Sequence, residues 1–422
     1  MKKSLFMLSF FAAASATVFS AEEHPCEHDK TPPNQTVWNK TETAHHSHSG
    51  EDISGKKFYT VMYWYDLSAL HVVQYDMREA DFSNATAVGT SFSGVVFAGA
   101  SFDGANLTNA NFSGTRGAYN ISLANATITN ASFSGSDIKA ANLESSANFS
   151  ATKNMSGINL SNISNHLLFS DASGMNFSNV KFDGTYIGQN NFENSDFTNA
   201  SFVGCNIEGT PSARTSFLGA TLKNADFTNA TITYSSFDSA FTKEQLSSTA
   251  SLKNKYLAYV NFDGNDFSGV DFSGANLIES KLKNVNLDGA KFVNAHGLSE
   301  TYSTILEGAV ITNTDFSKSD ISAKTLEQTK SYADKNFSGV NLSGISGQYI
   351  KFTDASGFDF SNAVFDNSNF GGNNFENSDF ANASFSGTNL KGTASQMTSF
   401  EGAKLDGTNF AGAQISYTKF DS

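Results

Sequence analysis

From Phe177 to Phe237 the large apolar residues fall on one five-residue period. Phe177, Phe182, Ile187, Phe192, Phe197, Phe202, Ile207, Phe217, Leu222, Phe227, Ile232 and Phe237 keep it, with Ser212 as the only lapse. Two places before the large residue the slot is small, as at Ala200, Cys205, Ala220, Ala225 and Ala230. Asp, Asn or Ser often stands directly before it, and Asn or Gly two places after. A helix repeats every 3.6 residues and a strand every 2, so neither element carries such a pattern. A short fixed period belongs to a solenoid, in which each unit buries its apolar side only by stacking on its neighbours.

The segments "NADFTNA", "GANLTNANFSG", "GVDFSGANL" and "NSDFANASFSGTNL" resemble the pentapeptide-repeat family, and the resemblance runs through most of residues 80–422. It implies an all-β fold: a right-handed quadrilateral parallel β-helix, four pentads per coil, with the central residue and the small one pointing inward. Short helical interruptions are expected within it. In "FTKEQLSSTASLKNKY" the pair Thr242 and Gln245 has capping-box spacing. Laying Leu246, Thr249 and Ser251 on Leu326, Thr329 and Ser331 shows the interruption a second time, and there Thr325 and Gln328 repeat that spacing.

A longer repeat lies over the short one. A single shift lays "NNFENSDFTNASF" (190–202) on "NNFENSDFANASF" (373–385), and Leu123, Ile128, Phe133, Ile138 and Leu143 on Leu306, Ile311, Phe316, Ile321 and Leu326. The chain therefore divides into a signal peptide (1–21), a His-rich acidic leader without periodic order (22–57), an aromatic cap (58–79) and two tandem modules (80–239 and 240–422). The signal reading rests on Lys2 and Lys3, the apolar run from Leu5 to Val18 and the small residues after it. It places the mature protein outside the cytoplasm, in the periplasm, on the cell surface or secreted. No later stretch has the roughly 18 uninterrupted apolar residues that a spanning helix needs. Of the two cysteines, Cys205 occupies an inward small slot and reads as a buried hydrophobe, while Cys26 lies in the leader.

Little in the sequence carries chemistry. HExxH, GxSxG, phosphate-binding glycine loops and zinc-type CxxC pairs are all missing. His24, Cys26, His28, His45, His46 and His48 are ligand types, but a polar segment without order supplies no fixed geometry, so no metal or other cofactor is expected. A β-helix enzyme acting on acidic sugars would cluster carboxylates and basic residues on one face. Beyond Met77 only Arg78, Arg116 and Arg214 are arginines, and the module shift sets Ser299 and Met397 opposite the last two. The aromatic run Phe58–Met77 reads as a lid over the first coil, with carbohydrate binding as its alternative role.

The resemblance also brings in a nucleic-acid mimic that occupies a topoisomerase. A rod of about 17 coils at roughly 4.8 Å is on the order of 80 Å long, and duplex DNA of that length carries about 47 charges. This whole chain has a net charge of only −14. The expectation is thus a non-catalytic exported scaffold presenting a surface to a protein or cell-envelope component, with no nucleic acid as partner. The repeat runs to Phe420 at the end of the second module, so the last coil is expected to expose apolar side chains and to pair tail to tail with a second copy.

Overall fold

The computed structural model describes residues 49–54, 61–66, 69–73, 77–345 and 349–420. The signal segment, the six leader ligands and residues 58–60, 67–68 and 74–76 of the aromatic run lie outside these residues.

Each pentad makes one short bridge of strand and one corner. At Phe82 the carbonyl accepts from Ala85 N–H at 3.0 Å, closing a turn whose third residue, Asn84, has φ 58°. A turn of this type needs a left-handed residue there, which Asn and Gly adopt most readily. That need explains the Asn or Gly two places after the apolar residue. The Asp or Asn one place before it secures the corner from outside, as Asp81 Oδ1 does by accepting from Ser83 N–H at 2.9 Å.

Coils then join through parallel bridges. Phe82 N–H donates to Ser101 O at 2.7 Å and Asn84 N–H to Asp103 O at 2.7 Å. In regular coils a residue bridges the one four pentads further on, Asp81 to Ser101 and Asn176 to Asp196, so one turn of the solenoid takes four pentads. Inside, rings stack at the interstrand spacing. Phe92, Phe112 and Phe133 follow at centroid distances of 4.9 and 5.1 Å, and Phe375, Phe400 and Phe420 at 5.2 Å each. The fold is a β-helix with one continuous apolar interior, the large and the small residue of the pentads in its inner coils both buried.

Longer coils carry the interruptions. Asn191 bridges Ser216, and Asn374 bridges Ser399, each a full pentad later than in a regular coil. The coil from Ser132 to its partner Asn159 is longer still. The lapse at Ser212 is a projecting loop, 208–214, closed by mutual Thr210 and Ala213 backbone bonds. Its copy at 391–397 is closed by Thr393 and Gln396. Among the described residues three helix pairs replace strand elsewhere: α1 (Ala140–Glu144) with α2 (Ala147–Ser150), α3 (Lys243–Ser248) with α4 (Ala250–Lys253), and α5 (Ala323–Glu327) with α6 (Lys330–Ala333). Leu143, Leu246 and Leu326 still point inward and are fully buried. Leu143 thus sits in α1 and not in the regular coil that its spacing suggests.

The helices also feed the coils beside them. Gln245 Nε2 donates to Leu222 O (2.8 Å) and Ala225 O (3.0 Å), carbonyls that a missing strand would otherwise leave open. The capping box at α3 is present, Thr242 N–H on Gln245 Oε1 at 2.9 Å and Gln245 N–H on Thr242 Oγ1 at 3.2 Å. The second expected box is not. α5 starts earlier than Thr325, capped by Ser322 through Thr325 N–H at 3.2 Å, and Gln328 is at its far end. Thr325 instead turns its hydroxyl to Leu298 O at 2.7 Å, because the coil carbonyl at that point has no strand partner.

Equivalent contacts recur in the second module. Ser170 is held by Glu144 and Thr353 by Glu327, while Asn190 Nδ2 and Asn373 Nδ2 bond the carbonyls of Leu167 and Ile350 at 2.7 and 2.8 Å. At the other end, residues 49–54, which by sequence close the leader, lie along the first coil. Ile53 is buried, its N–H donating to Thr86 O at 2.7 Å and its carbonyl accepting from Thr90 Oγ1 at 2.6 Å. Between them and Met77 the backbone forms an antiparallel hairpin of β1 (Val61–Asp66) and β2 (Ala69–Val73). Among the described residues no helix is long and apolar enough to cross a membrane.

Candidate aromatic edge

One longitudinal edge differs from the rest of the rod. It can be followed coil by coil from Met77, whose N–H donates to Val96 O, to Arg116, then Asp137, whose carboxylate accepts from Gly117 and Ala118 N–H at 2.8 and 2.7 Å. It continues through Tyr186, Asn206 and Thr231, through Tyr256, Asn276 and His296, and through Tyr349, Asn369, Asn389 and Gln414. Of the tyrosines after Met77, Tyr119, Tyr186, Tyr234, Tyr256, Tyr259, Tyr302, Tyr349 and Tyr417 all belong to this edge or its loops. Tyr332, in α6, is the exception. His166 and His296 are here as well, and so are Arg78, Arg116 and Arg214.

Three of these tyrosines occupy the left-handed corner itself. Tyr234 has φ 54°, Tyr259 φ 65° and Tyr417 φ 54°. Asn and Gly take this conformation with little strain, whereas a bulky side chain is held there at a cost of order 1–3 kcal/mol. Neighbours do hold it. The Tyr234 and Tyr259 rings stack at 4.4 Å and 8°, and Arg214 reaches from the 208–214 loop with its guanidinium 5.8 Å from the Tyr234 ring centre and Nη1 on Tyr259 O. Burial, then the neighbouring Tyr259, pushes the Tyr234 hydroxyl above its ordinary pKa. Gly209 lets the loop approach: a Cβ there would lie 2.5 Å from Tyr234 O, and one at its counterpart Gly392 would lie 2.6 Å from Tyr417 O.

Elsewhere along the edge the rings meet other partners. His166 and Tyr186 stack at 3.9 Å, Lys139 Nζ is 5.1 Å from the Tyr119 ring centre, and His296 packs against Tyr302 while its Nδ1 is 2.8 Å from Asp320 Oδ2. Arg116 is matched in the second module by His296, and not by Ser299, because both are bridged to the coil before and both precede a glycine bound by a carboxylate. The short helix at 300–302 lengthens the second module after that point, so the register between the modules changes across it.

Carboxylates are mostly occupied by backbone and hydroxyl groups. Asp103, Asp183 and Asp366 each take a serine hydroxyl and an N–H from the next coil. Among the described residues no group of three or more His, Cys, Asp and Glu is placed to hold a metal. Cys205 is buried with Sγ 2.9 Å from Thr185 O, and burial raises its thiol pKa well above the ordinary value. What the edge offers is recognition: flat rings, neutral amides and hydroxyls, and a few cations.

From the sequence, none of these tyrosines was singled out. Their signal was available: Tyr at the corner slot, or directly before the inward residue, recurs on separated pentads and never on neighbouring ones.

Residues 76–114, 170–210, 256–295, 349–380 and 359–393 match the family model for pentapeptide repeats, in eight copies. Similar solved structures include HetL, a pentapeptide repeat protein involved in heterocyst differentiation regulation from the cyanobacterium Nostoc sp. (18% identity, 64% of this chain and 91% of that one, TM-score 0.18). QnrB1, a plasmid-mediated fluoroquinolone resistance protein, matches at 21% identity over 54% of this chain and 87% of its own, TM-score 0.17. Rfr23 from the cyanobacterium Cyanothece 51142 matches at 11% over 43% and 80%, TM-score 0.15. No curated protein matches the chain.

Proposed function

We propose that this pentapeptide-repeat protein is an exported, non-catalytic scaffold whose tyrosine-bearing edge binds a protein or cell-envelope component. The observation that carries the reading is the placing of Tyr234, Tyr259 and Tyr417 at left-handed corners, where Asn or Gly would close the turn with less strain. A side chain kept against local preference points to a use for its exposed surface. Arg116, Arg214 and His296 on the same edge oppose a continuous acidic stripe, so nucleic-acid mimicry is the weaker account. The test replaces Tyr234, Tyr259 and Tyr417 together by Asn, which suits the corner, and compares capture from the native cell envelope. The triple variant should fold and lose the captured component. Capture equal to that of the parent protein removes the edge from the function.

Export is part of the same proposal. Protein recovered outside the cytoplasm should begin near Glu22 and leave topoisomerase supercoiling unchanged. An intact Met1 terminus confined to the cytosol, with supercoiling inhibited, reverses both points. A second copy is the partner proposed for the last described coil, where Ile415 is 50% and Phe420 39% exposed while Leu405 and Phe410 are only partly buried. Apolar rings at an open coil face resemble half a core, and a two-fold contact covers the same patch on both copies.

A further inference from the structure

The two modules differ at one point of the aromatic edge. In the first, His166 is fixed by Nε2 on Gly188 O at 2.8 Å, and the ring of Tyr186 lies flat on it at 3.9 Å and 11°. In the second, Tyr349 takes the place of His166, its hydroxyl donating to Gly371 O at 2.5 Å, so the platform is held the same way. Asn369, however, takes the place of Tyr186. Among the described residues no ring stacks on Tyr349, which is 49% exposed, and a cleft of about 440 Å³ opens beside it.

Ile345, Asn367, Ser368, Asn369 and Asn389 line this cleft with Tyr349, and none of them carries a charge. Asn389 Oδ1 accepts from Lys391 N–H at 3.0 Å and Asn369 Oδ1 from Gly371 N–H at 3.4 Å, so each amide is anchored to the backbone through its oxygen. Burial raises the Tyr349 hydroxyl pKa above its ordinary value. An amide carries two donors and two acceptor sites, and a concave site with a few convergent polar groups around an apolar wall selects a ligand of matching rim.

We infer that the cleft over Tyr349 is a binding site for a neutral saccharide, one pyranose ring taking the position that Tyr186 fills in the first module. A tyrosine ring from a partner polypeptide would fit the platform but brings a single polar atom, whereas three asparagines at the rim suit several hydroxyls. This inference rests on reading the edge as the binding surface, and names the ligand class at one place on it.

The test is an array of immobilised neutral hexose and N-acetylhexosamine oligosaccharides, with acidic oligosaccharides alongside, probed with the full chain and with Asn369→Tyr. That substitution rebuilds the first module's stack and should leave the thermal midpoint unchanged. At least one neutral oligosaccharide should bind the parent protein, with affinity at least tenfold weaker in Asn369→Tyr and in Tyr349→Ala. No neutral oligosaccharide bound, equal binding by Asn369→Tyr, or preference for acidic sugars overturns the inference. If envelope capture still depends on Tyr234, Tyr259 and Tyr417 while the array is blank, the edge reading stands and the saccharide site alone falls.

Discussion

Within one pentad, every slot has a separate physical role, and substitutions should divide accordingly. Phe197 and Phe380 are fully buried and stacked on Phe177 and Phe360 at 5.1 and 5.0 Å. Truncation of either to Ala should cost about 3–5 kcal/mol, since neighbouring coils cannot close over the space. Thr198, whose side chain only bonds Asp196 from outside at 2.6 Å, should cost about 1 kcal/mol or less. Similar losses for both classes in chemical denaturation would invalidate the inward and outward assignment. The acidic slot gives a pH prediction. Asp171, Asp266, Asp354 and Asp379 lie below their ordinary pKa first because each accepts a backbone N–H two places on, from Ser173, Ser268, Ser356 and Ala381. A depressed carboxyl contributes stability that is complete above its unfolded pKa and lost as pH falls through the folded one. The thermal midpoint should therefore change little from pH 7 to 5 and fall below about pH 4. A midpoint that stays level to pH 2 would show that these bonds contribute nothing.

At the level of the element, the helix pairs substitute for strand by supplying side-chain donors to stranded carbonyls. Thr242 is the point of entry to α3, and Thr242→Ala should cost about 1 kcal/mol by removing the side-chain half of the capping box. Thr325→Ala should cost more than an ordinary surface change although it caps nothing, because Leu298 O would be left buried without a donor. Equal, negligible effects of both in urea denaturation would mean that the helices are accessory to the solenoid. A contrasting case is Asn265. Its Oδ1 is, among the described residues, the buried side-chain polar atom without a partner, in a slot that Ala, Val or Ser fills elsewhere. Asn265→Ala should raise stability by about 1 kcal/mol, the cost of desolvating an unpaired carbonyl outweighing the lost bond from Nδ2 to Phe262 O. A fall in the denaturation midpoint would show that this bond matters more.

For the whole molecule, stacking makes the ends different from the middle. Every inner coil is covered on both sides, so Phe380 is fully buried, whereas the last described coil leaves Ile415 and Phe420 open on one side. The proposed tail-to-tail pairing predicts a dimeric mass by light scattering at micromolar concentration, returning to monomer with Phe420→Asp, which places a carboxylate in the shared apolar patch. A monomeric mass for the parent protein, unchanged by Phe420→Asp, would exclude it. The aromatic edge on the inner coils, at Tyr186, Tyr234, Tyr259 and Tyr349, should be unaffected by that change, because those residues lie coils away from Phe420.

Much of this molecule was determined locally and could be read from the chain. A five-residue period sets which side chains point inward, and the left-handed corner sets Asn or Gly at its third residue, since backbone sterics decide both within a single pentad and its flanks. The cap at Thr242 is local in the same way. The tertiary structure alone decided which pentads lie in one column. Whether a coil takes four pentads, five or more follows from how loops and helix pairs are absorbed, and no local rule states whether an insertion projects or is taken into the stack. The lapse at Ser212 projected as a loop, the helices were absorbed, and the short helix at 300–302 left Arg116 in register with His296. Tyr186, Tyr234, Tyr259 and Tyr349 became one edge only through that sum, because contacts between coils join positions at least four pentads apart while the period reports only what is inside.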